Sequence, residues 1–231
     1  MSIKCYRCEA TVSPQASCNC LDNICLVHGD CREVLPTLEP GCVDLVLTDP
    51  PYGISHPCDY QARGRDGLTQ CRDYPDILGD NEPFEPSPLL KISPCILWGA
   101  NHYASRLPDS SGWLVWDKER PDDLDQSTCE LAWTNVIKGV RRLRFQWHGC
   151  MRKGKESLFH PMQKPVELMA WCLKTRWTED ASMILDPYTG SGPVLVAAKQ
   201  LGRRALGVEI EEKYVKIACQ RLRQGVLQFT E

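Results

Sequence analysis

The chain has 231 residues, of which 42% are hydrophobic and 25% are charged, a size and composition typical of one α/β domain with a sizeable core. No apolar run approaches the roughly 18–20 residues of a membrane helix, and the N-terminus lacks an apolar signal core, so we expect a cytoplasmic protein without a membrane partner. The 14 cysteines among 231 residues are a smaller fraction than in a secreted disulfide scaffold. The net charge of −3 argues, at first sight, against a nucleic-acid partner.

The first half of the chain predicts buried strands separated by turns. Residues 24–27 form a short apolar run before Gly29, which indicates a strand, a turn and a helix. Residues 43–48 are a nearly continuous run of β-branched residues and leucine, as expected of a strand buried on both faces of a parallel sheet. Residues 55–93 are rich in Pro, Gly and Asp, and predict mostly loop.

The chain from residue 94 onward predicts further strands and four helices. Strands are indicated at 94–98 and 112–116, and Ser127 followed by Glu130 fits a capping box that opens a helix through Trp133. Helices and strands then alternate at 166–174, 182–185, 193–201, 204–208 and 211–224. This alternation predicts a doubly wound, mostly parallel α/β sheet. The predicted domain spans 24–231, behind a small cysteine-rich appendage at 1–23.

The N-terminal appendage contains a candidate metal site. Cys5, Cys8, Cys18 and Cys20 form two close pairs on either side of a turn-rich segment, a pattern that can give a tetrahedral thiolate site for Zn²⁺. The alternative is a reduced tail in which the spacing is accidental. The other ten cysteines are scattered, mostly beside apolar residues, which is typical of small core residues.

Positive charge is concentrated in residues 138–155, the basic segment. It has seven cations and no acidic residue, so the −3 of the whole chain less this +7 leaves −10 for the remainder. The cations are Lys138, Arg141, Arg142, Arg144, Arg152, Lys153 and Lys155. Because Phe145 and Trp147 lie among them, the segment is suited to phosphate contact and base stacking. The alternative is a solvated basic hairpin whose aromatic rings face the core.

A glycine turn follows the strand predicted at 182–185. Asp186 ends the apolar run, and Gly190-Ser191-Gly192 precede a helix, so the backbone can approach a ligand and the helix N-terminus offers free N–H groups. The next strand ends in Glu209, where an acid can bind both ribose hydroxyls. The pair predicts a cofactor that contains adenosine. An ordinary tight turn with a solvated glutamate is the alternative.

A second turn, Asp49-Pro50-Pro51-Tyr52, follows a predicted buried strand and therefore lies at the carboxyl edge of the sheet, where ligands bind. The prolines remove two backbone donors, which leaves carbonyl acceptors beside a carboxylate. This pair suits both hydrogens of one –NH₂ group, and the ring can stack on the planar system that bears the amine. A rigid turn with Tyr52 in the core does not explain this combination.

Together these motifs resemble the DNA amino-methyltransferases that act on the N6 amine of adenine or the N4 amine of cytosine. The resemblance rests on Gly29-Asp30-Cys31 and on VDLVLTDPPYG (43–53), HPMQKP (160–165), DPYTGSG (186–192) and GRRALGVEIEEKYVKIACQRL (202–222). The amine-binding turn precedes the cofactor turn, an order similar to the permuted β class of phages and restriction–modification systems. The implied fold is a Rossmann-like methyltransferase sheet.

The resemblance implies S-adenosyl-L-methionine as the cofactor and DNA as the substrate. The residues implied for cofactor binding are Asp30, Gln163, Lys164, Pro165, Asp186, Tyr188, Gly190, Gly192 and Glu209. Within this set, Asp30 would lie near the adenine, Glu209 would hold the ribose, and residues 163–165 would cover the methionine end. Pro193 stands where the family usually has Thr, which a first helical turn tolerates. The resemblance says nothing about zinc.

The catalytic residues implied are Asp49, Pro50, Pro51 and Tyr52. Asp rather than Ser at position 49 resembles the adenine-N6 enzymes, so we expect methylation of adenine N6. Cytosine N4 and a catalytically inactive DNA-binding module of the same fold are the alternatives. Relatives that methylate protein glutamine or RNA commonly carry Asn at this position and have an unpermuted order. We expect 118–159 to be a DNA-contacting insertion. A cognate restriction enzyme and a second copy of the chain stay open as further partners.

Overall fold

The computed structural model describes residues 5, 23–55, 77–121, 127–148, 159 and 163–223, together with the two-residue strand at 151–152. The strands of this part are β1 (Ile24–His28), β2 (Leu45–Thr48), β3 (Cys95–Trp98), β4 (Gly112–Asp117), β5 (Cys129–Thr134), β6 (Val140–Arg144), β7 (Trp147–His148), β8 (Met151–Arg152), β9 (Met183–Asp186) and β10 (Arg204–Glu209). The helices are α1 (Cys31–Val34), α2 (Ser87–Leu90), α3 (Val166–Leu173), α4 (Pro193–Gln200) and α5 (Glu212–Arg223).

Eight of the described strands form one sheet in the order β1-β10-β9-β2-β3-β5-β4-β6, and β7 and β8 form a separate hairpin. Neighbouring strands of the sheet are parallel, except that β5 runs antiparallel to both β3 and β4. The predicted doubly wound, mostly parallel sheet is confirmed. Because parallel strands end at a common edge, β2, β4, β9 and β10 all deliver their carboxyl ends to one side, and β5 brings its amino end there.

Core layers cover both faces of this sheet, which explains why its strands are apolar throughout. In β2, Leu45 and Leu47 pack on the face covered by α3, α4 and α5, while Val46 packs on the opposite face with α1 and Leu89. Side chains of a strand alternate between the two faces, so both must be apolar. A helix layer on each face is the physical reason for the runs that the sequence shows.

The predicted helix from Ser127 to Trp133 is wrong, because this stretch forms strand β5. Ala132 packs in one core layer and Trp133 in the other, which is the two-residue period of a strand. Its backbone also pairs with β3 on one side and β4 on the other. Tertiary pairing therefore overrides a local capping signature. Residues 118–159 contribute β5 and β6 to the main sheet, and their role as a DNA-contacting insertion stays a prediction.

The zinc prediction falls mostly outside the described residues. Cys5 is buried in the core layer that also holds α1, whereas Cys8, Cys18 and Cys20 lie outside the described part. Within that part no group of three or more His, Cys, Asp or Glu side chains could hold a metal ion. The zinc site and the boundary at residue 23 stay predictions.

Most of the scattered cysteines that the structure describes are core residues, as expected. Buried positions are Cys25, Cys31, Cys95, Cys172 and Cys219, whereas Cys42 is half-buried and Cys129 is exposed. Burial raises the pKa of Cys95 to about 12, so its thiol is neutral and unreactive at physiological pH. In the same described ranges, no helix has the length and apolar character needed to cross a membrane.

Gly112 gives a test of packing at the start of β4. A Cβ atom there would lie 2.0 Å from the Ile137 carbonyl oxygen and 2.5 Å from that of Thr134. Both are backbone atoms that cannot move cheaply, so we expect Gly112→Ala to lower the free energy of unfolding by about 1–3 kcal/mol. Gly29→Ala is the matched control, because its nearest neighbour is 3.9 Å away. Urea unfolding measures both, and equal stabilities would contradict the described packing.

Candidate active site

A cavity of about 930 Å³ opens at the carboxyl edge of the sheet. Eleven of the thirteen residues predicted for catalysis and cofactor binding line it: Asp30, Asp49, Pro50, Pro51, Tyr52, Gln163, Lys164, Asp186, Tyr188, Gly190 and Glu209. The other two, Pro165 and Gly192, lie just outside its wall, where they precede α3 and α4. Gly192 has a φ of 82°, and a Cβ there would lie 3.0 Å from Ala218 of α5.

The two predicted turns are joined directly at the ends of β2 and β9. Thr48 Oγ1 donates a 2.7 Å hydrogen bond to Asp186 Oδ1, and both side chains are buried. Asp186 Oδ1 also accepts from the backbone N–H of Tyr188 at 3.3 Å. Burial raises the pKa of Asp186 to about 7. The cavity wall therefore contains a buried carboxyl group that a cationic ligand would favour in its ionised form.

The DPPY turn (residues 49–52) is held by Asp80, which the sequence analysis did not single out. Asp80 Oδ1 accepts backbone N–H groups from Tyr52 at 3.0 Å, Gly53 at 2.9 Å and Ile54 at 3.4 Å. Asp80 is itself buried. Because it lies 28 residues from Tyr52 in an irregular segment, no local pattern could identify it.

The ring of Tyr52 lies in a slot between neighbouring residues. It stacks on His102 with ring centroids 5.0 Å apart and an angle of 13° between the planes. Gly99, at a φ of 70°, allows this approach, since a Cβ there would lie 1.9 Å from a ring carbon of Tyr52. The backbone geometry of Gly99 thus makes room for an aromatic ring beside the turn.

Both carboxylate oxygens of Asp49 are engaged. Lys164 Nζ lies 2.6 Å from Oδ2, and the Tyr52 hydroxyl donates a 2.5 Å hydrogen bond to Oδ1. Lys164 Nζ also donates to the Tyr52 hydroxyl at 2.9 Å. Burial raises the pKa of Asp49, and the Lys164 ammonium opposes this shift. Burial and the Asp49 charge raise the pKa of Tyr52, so Tyr52 stays a hydrogen-bond donor.

Lys164 was predicted near the methionine end of the cofactor, but its ammonium also has a second partner. Glu130 Oε2 lies 3.0 Å from Lys164 Nζ, and Lys118 Nζ lies 2.5 Å from Glu130 Oε1. Asp49, Lys164, Glu130 and Lys118 thus form a row of alternating charge, hereafter the charged row. Glu130 and Lys118 were not predicted as site residues, because their approach depends on the reversal of β5.

The glycine turn (residues 186–192) closes on Glu209, the acid predicted to bind the ribose. Glu209 Oε2 accepts from the backbone N–H of Gly190 at 2.7 Å, and Oε1 accepts from that of Glu211 at 2.7 Å. Burial raises the pKa of the Glu209 carboxyl group. Each oxygen of a carboxylate has a second lone pair, so Glu209 can still accept from hydroxyl groups in the cavity.

Gln163 connects the segment before α3 to the glycine turn. Its Oε1 accepts from Ser191 Oγ and from the backbone N–H of Phe159, both at 3.0 Å. Arg221 of α5 donates to the Ser191 carbonyl oxygen at 2.8 Å, and its guanidinium lies over the Phe159 ring. Gln163 is therefore tied directly to the glycine turn, and Phe159 is linked to that turn through Gln163 and Arg221.

Asp30 lies at the rim of the cavity and is paired with a neighbour. Its carboxylate accepts from the backbone N–H of Arg32 at 2.8 Å and forms a 2.6 Å ion pair with the exposed Arg32 guanidinium. The Arg32 guanidinium holds the pKa of Asp30 below its usual range. Asp30 is thus a charged rim group that also caps α1.

Part of the basic segment forms β6, the outermost strand of the main sheet. Lys138 is exposed, and Arg141, Arg142 and Arg144 are exposed on β6. Of the remaining cations, Arg152 lies on β8, and Lys153 and Lys155 lie outside the described residues. Arg144, at the end of β6, pairs with Asp117 at 3.1 Å. Because β6 is parallel to β4, Arg144 lies at the same edge of the sheet as the cavity.

The aromatic residues of the basic segment face the core, as in the second of the two sequence interpretations. Trp147 is buried, and Phe145 packs against the same core layer, with 6.4 Å between their ring centroids. Their rings therefore stabilise the edge strand from within. The packing of these two rings therefore argues against base stacking on them, and phosphate contact by the exposed cations stays a prediction.

Comparison with known proteins supports the family that the motifs resemble. The DNA methylase family model matches residues 113–220. A type II methyltransferase of Lactococcus lactis subsp. cremoris, M2.LlaDCHI, is 25% identical over 88% of this chain and 91% of its own length. M2.DpnII, from Streptococcus pneumoniae, is 26% identical over 85% of this chain and 88% of its own length. These matches support a member of the N6/N4 DNA amino-methyltransferase family.

Solved structures of methyltransferases share the fold of this chain. The M1.HpyAVI–SAM complex superposes with a TM-score of 0.54 at 20% identity, and the match covers 86% of this chain and 99% of that one. The cytosine-N4-specific PvuII DNA methyltransferase gives a TM-score of 0.60 at 12% identity over 86% of each chain. At these identities the likeness is one of fold.

Asp186 gives a pH-dependent test. The pKa of this carboxyl group is about 7 in the folded protein, above its ordinary 3.8, so its contribution to stability is lost progressively as the pH rises from 3.8 to 7. Asp186→Asn keeps an oxygen that can accept from Thr48 but cannot ionise. We therefore expect the ligand-free variant to unfold at a higher temperature than wild type at pH 8, and the difference to be smaller at pH 5. Circular dichroism melts measure this, and a pH-independent difference would contradict the assignment.

Proposed function

We propose that this chain transfers a methyl group from S-adenosyl-L-methionine to the exocyclic N6 amine of adenine in DNA. One observation carries the proposal: the DPPY turn and the glycine turn, which end neighbouring strands, line the same cavity and are joined by the Thr48–Asp186 hydrogen bond. An amine acceptor and a nucleoside-binding turn in one cavity fit a transfer between two bound molecules.

The chemistry of the cavity wall supports the proposed cofactor. The wall carries three mostly buried carboxyl groups, Asp49, Asp186 and Glu209, each with a pKa raised by burial. A ligand with ammonium and sulfonium groups would offset the cost of burying such charge. Glu209 would accept from the ribose hydroxyls, and Gln163 would cover the methionine end. When bound, S-adenosylmethionine supplies an electrophilic methyl group. One relative of the same fold is a complex with SAM.

The DPPY turn supplies the acceptors for the target amine. Asp49 and the Pro50 carbonyl would each accept one amine hydrogen, which orients the nitrogen lone pair toward the methyl donor. Tyr52 would stack on a base flipped from the duplex, at a cost of a few kcal/mol. The bonds from Asp80 to the turn hold these groups before the substrate arrives, so most of the acceleration would come from positioning.

The choice of adenine rests on position 49. Aspartate rather than serine there resembles the adenine-N6 enzymes, and the names of the two type II relatives mention neither base. Those names, type II methyltransferase, support a place in a restriction–modification system. A cognate restriction enzyme and a homodimer stay predictions.

Asp49→Ala tests the catalytic assignment. The variant removes the amine acceptor but leaves Lys164 paired with Glu130, so we expect the fold and the affinity for S-adenosylmethionine to be kept. Methyl transfer to DNA should fall by at least about 100-fold, as for loss of a key orienting group. Asp109→Ala, an exposed carboxylate outside the cavity, is the matched control.

The same assay identifies the base. Transfer of labelled methyl groups to DNA, followed by digestion to nucleosides, should place the label in N6-methyladenine. Label in N4-methylcytosine would overturn the choice of adenine alone. Near-normal turnover by Asp49→Ala, or label only in RNA or protein controls, would overturn the proposed mechanism.

The exposed edge formed by β6 is the proposed phosphate contact. Arg142 and Arg144 are more than half exposed, and each phosphate contact contributes about one unit to the log–log salt dependence of DNA affinity. We expect the double variant Arg142→Gln/Arg144→Gln to lower that slope by about two. The control is Lys216→Gln/Arg223→Gln, which removes two exposed charges from α5, a helix that packs near β1 at the other end of the sheet from β6. Fluorescence anisotropy at several salt concentrations measures both, and equal slopes would exclude β6 as a contact.

A further inference from the structure

Glu130 and Lys118 extend the amine-binding site beyond the residues that the motifs identify. Lys164 is 3% exposed and lies between two carboxylates, with Asp49 at 2.6 Å and Glu130 at 3.0 Å. Lys118, 13% exposed, holds the other oxygen of Glu130 at 2.5 Å. Two carboxylates and two ammonium groups therefore alternate in the charged row, and their formal charges cancel.

The reversed strand β5 brings Glu130 to this position. Its register pairs Glu130 with Trp116 of β4, and the backbone N–H of Lys118 donates to the Thr128 carbonyl oxygen at 2.9 Å. Lys118 and Glu130 are thus neighbours across two paired strands, at the edge where β2 delivers Asp49. This placement rests on the rigid ladder between β4 and β5.

The second carboxylate matters because the partner of Lys164 changes during the proposed reaction. The target amine must donate a hydrogen bond to an Asp49 oxygen. Both of these oxygens already accept, one from the Lys164 ammonium and one from the Tyr52 hydroxyl. After a methyl group joins the amine nitrogen, that nitrogen carries a positive charge and must release one proton, for which Asp49 is the adjacent acceptor. A neutral Asp49 would leave Lys164 as a buried cation without a counter-charge if Glu130 were not in contact with it.

We propose that Glu130 is a positioning residue for methyl transfer, which holds the Lys164 ammonium beside Asp49 and becomes its main counter-charge when Asp49 binds the amine and takes its proton. The proposal rests on the proposed function of Asp49 and goes beyond it. Lys118 keeps Glu130 ionised and in place, because burial alone would raise the pKa of Glu130, whereas the ammonium groups of Lys164 and Lys118 lower it.

The direction of a pH effect follows from the charges around Asp49. In the described part, the titratable groups that interact with Asp49 are Lys164, Glu130, Asp186 and the hydroxyls of Tyr52 and Tyr103. Burial raises the pKa of Asp49, the Lys164 ammonium lowers it, and the Glu130 carboxylate raises it. Removal of the Glu130 charge therefore lowers the pKa of Asp49, and removal of the Lys164 charge raises it.

The test compares Glu130→Gln with wild type in full-length protein and DNA methyl transfer. We expect kcat to fall about 10- to 100-fold with the affinity for S-adenosylmethionine unchanged by calorimetry. The acid limb of the kcat–pH profile should move to lower pH, whereas Lys164→Gln should move it to higher pH. A merely structural role would lower kcat without these opposite shifts. Glu167→Gln, on the exposed face of α3 near Lys164, is the matched control.

Glu130→Asp separates charge from position. It keeps the carboxylate but withdraws it by one methylene, so we expect a lowered kcat with the acid limb at the wild-type pH. A Glu130→Gln variant with wild-type kcat and acid limb would overturn the proposal. Should that variant not fold, an unchanged kcat in Glu130→Asp would overturn it. If wild type itself transfers no methyl group to DNA, the proposed function fails instead.

Discussion

The parallel pairing of β2 with β9 is the constraint on which the site depends. It places Thr48 beside Asp186, 138 residues away along the chain, and the 2.7 Å hydrogen bond between them joins the ends of the two strands. Each strand continues into a turn with a distinct chemical character, one rich in acceptors and one rich in glycine. The cavity exists between these turns because the helices that follow pack on the two faces of the sheet and leave its carboxyl edge open.

Charge at this edge is buried, and the surrounding structure compensates for it group by group. Asp80 and Glu209 accept backbone N–H groups, Asp186 accepts from Thr48, and Asp49 pairs with Lys164. An isolated charge of this kind would cost several kcal/mol to remove from water. The compensation also fixes geometry, because each bond joins a side chain to a different strand or turn. The site is thus organised before any ligand arrives.

The reversed strand β5 connects the outer half of the sheet to the cavity edge. Because β5 runs against its neighbours, its amino end, with Glu130, reaches the edge at which the other strands end. The next strands outward are β4 and then β6, whose exposed arginines form the border of the sheet. Negative charge of the body and positive charge of this border are therefore separated in space, and the net charge of −3 is a poor guide to the local charge of the border.

Much of the inner half of the fold was predictable from the sequence by itself. Continuous apolar runs predicted β1, β2, β9 and β10, and the order of turn and strand predicted that the glycine turn and Glu209 serve one cofactor. These features are local, since a strand buried on both faces must be apolar along its length. The residues that complete the site were not predictable. Asp80, His102 and Lys118 carry no motif, and Glu130 belongs only to a capping signature with Ser127 that indicated a helix where the chain forms a strand. Hydrogen bonds to β3 and β4 outweigh that local preference, because they satisfy the backbone on both sides and bury Trp133. The sequence alone determined the turns and the chemistry that each can offer, whereas only the tertiary structure decided which distant charges face them, because long-range strand pairing selects those contacts.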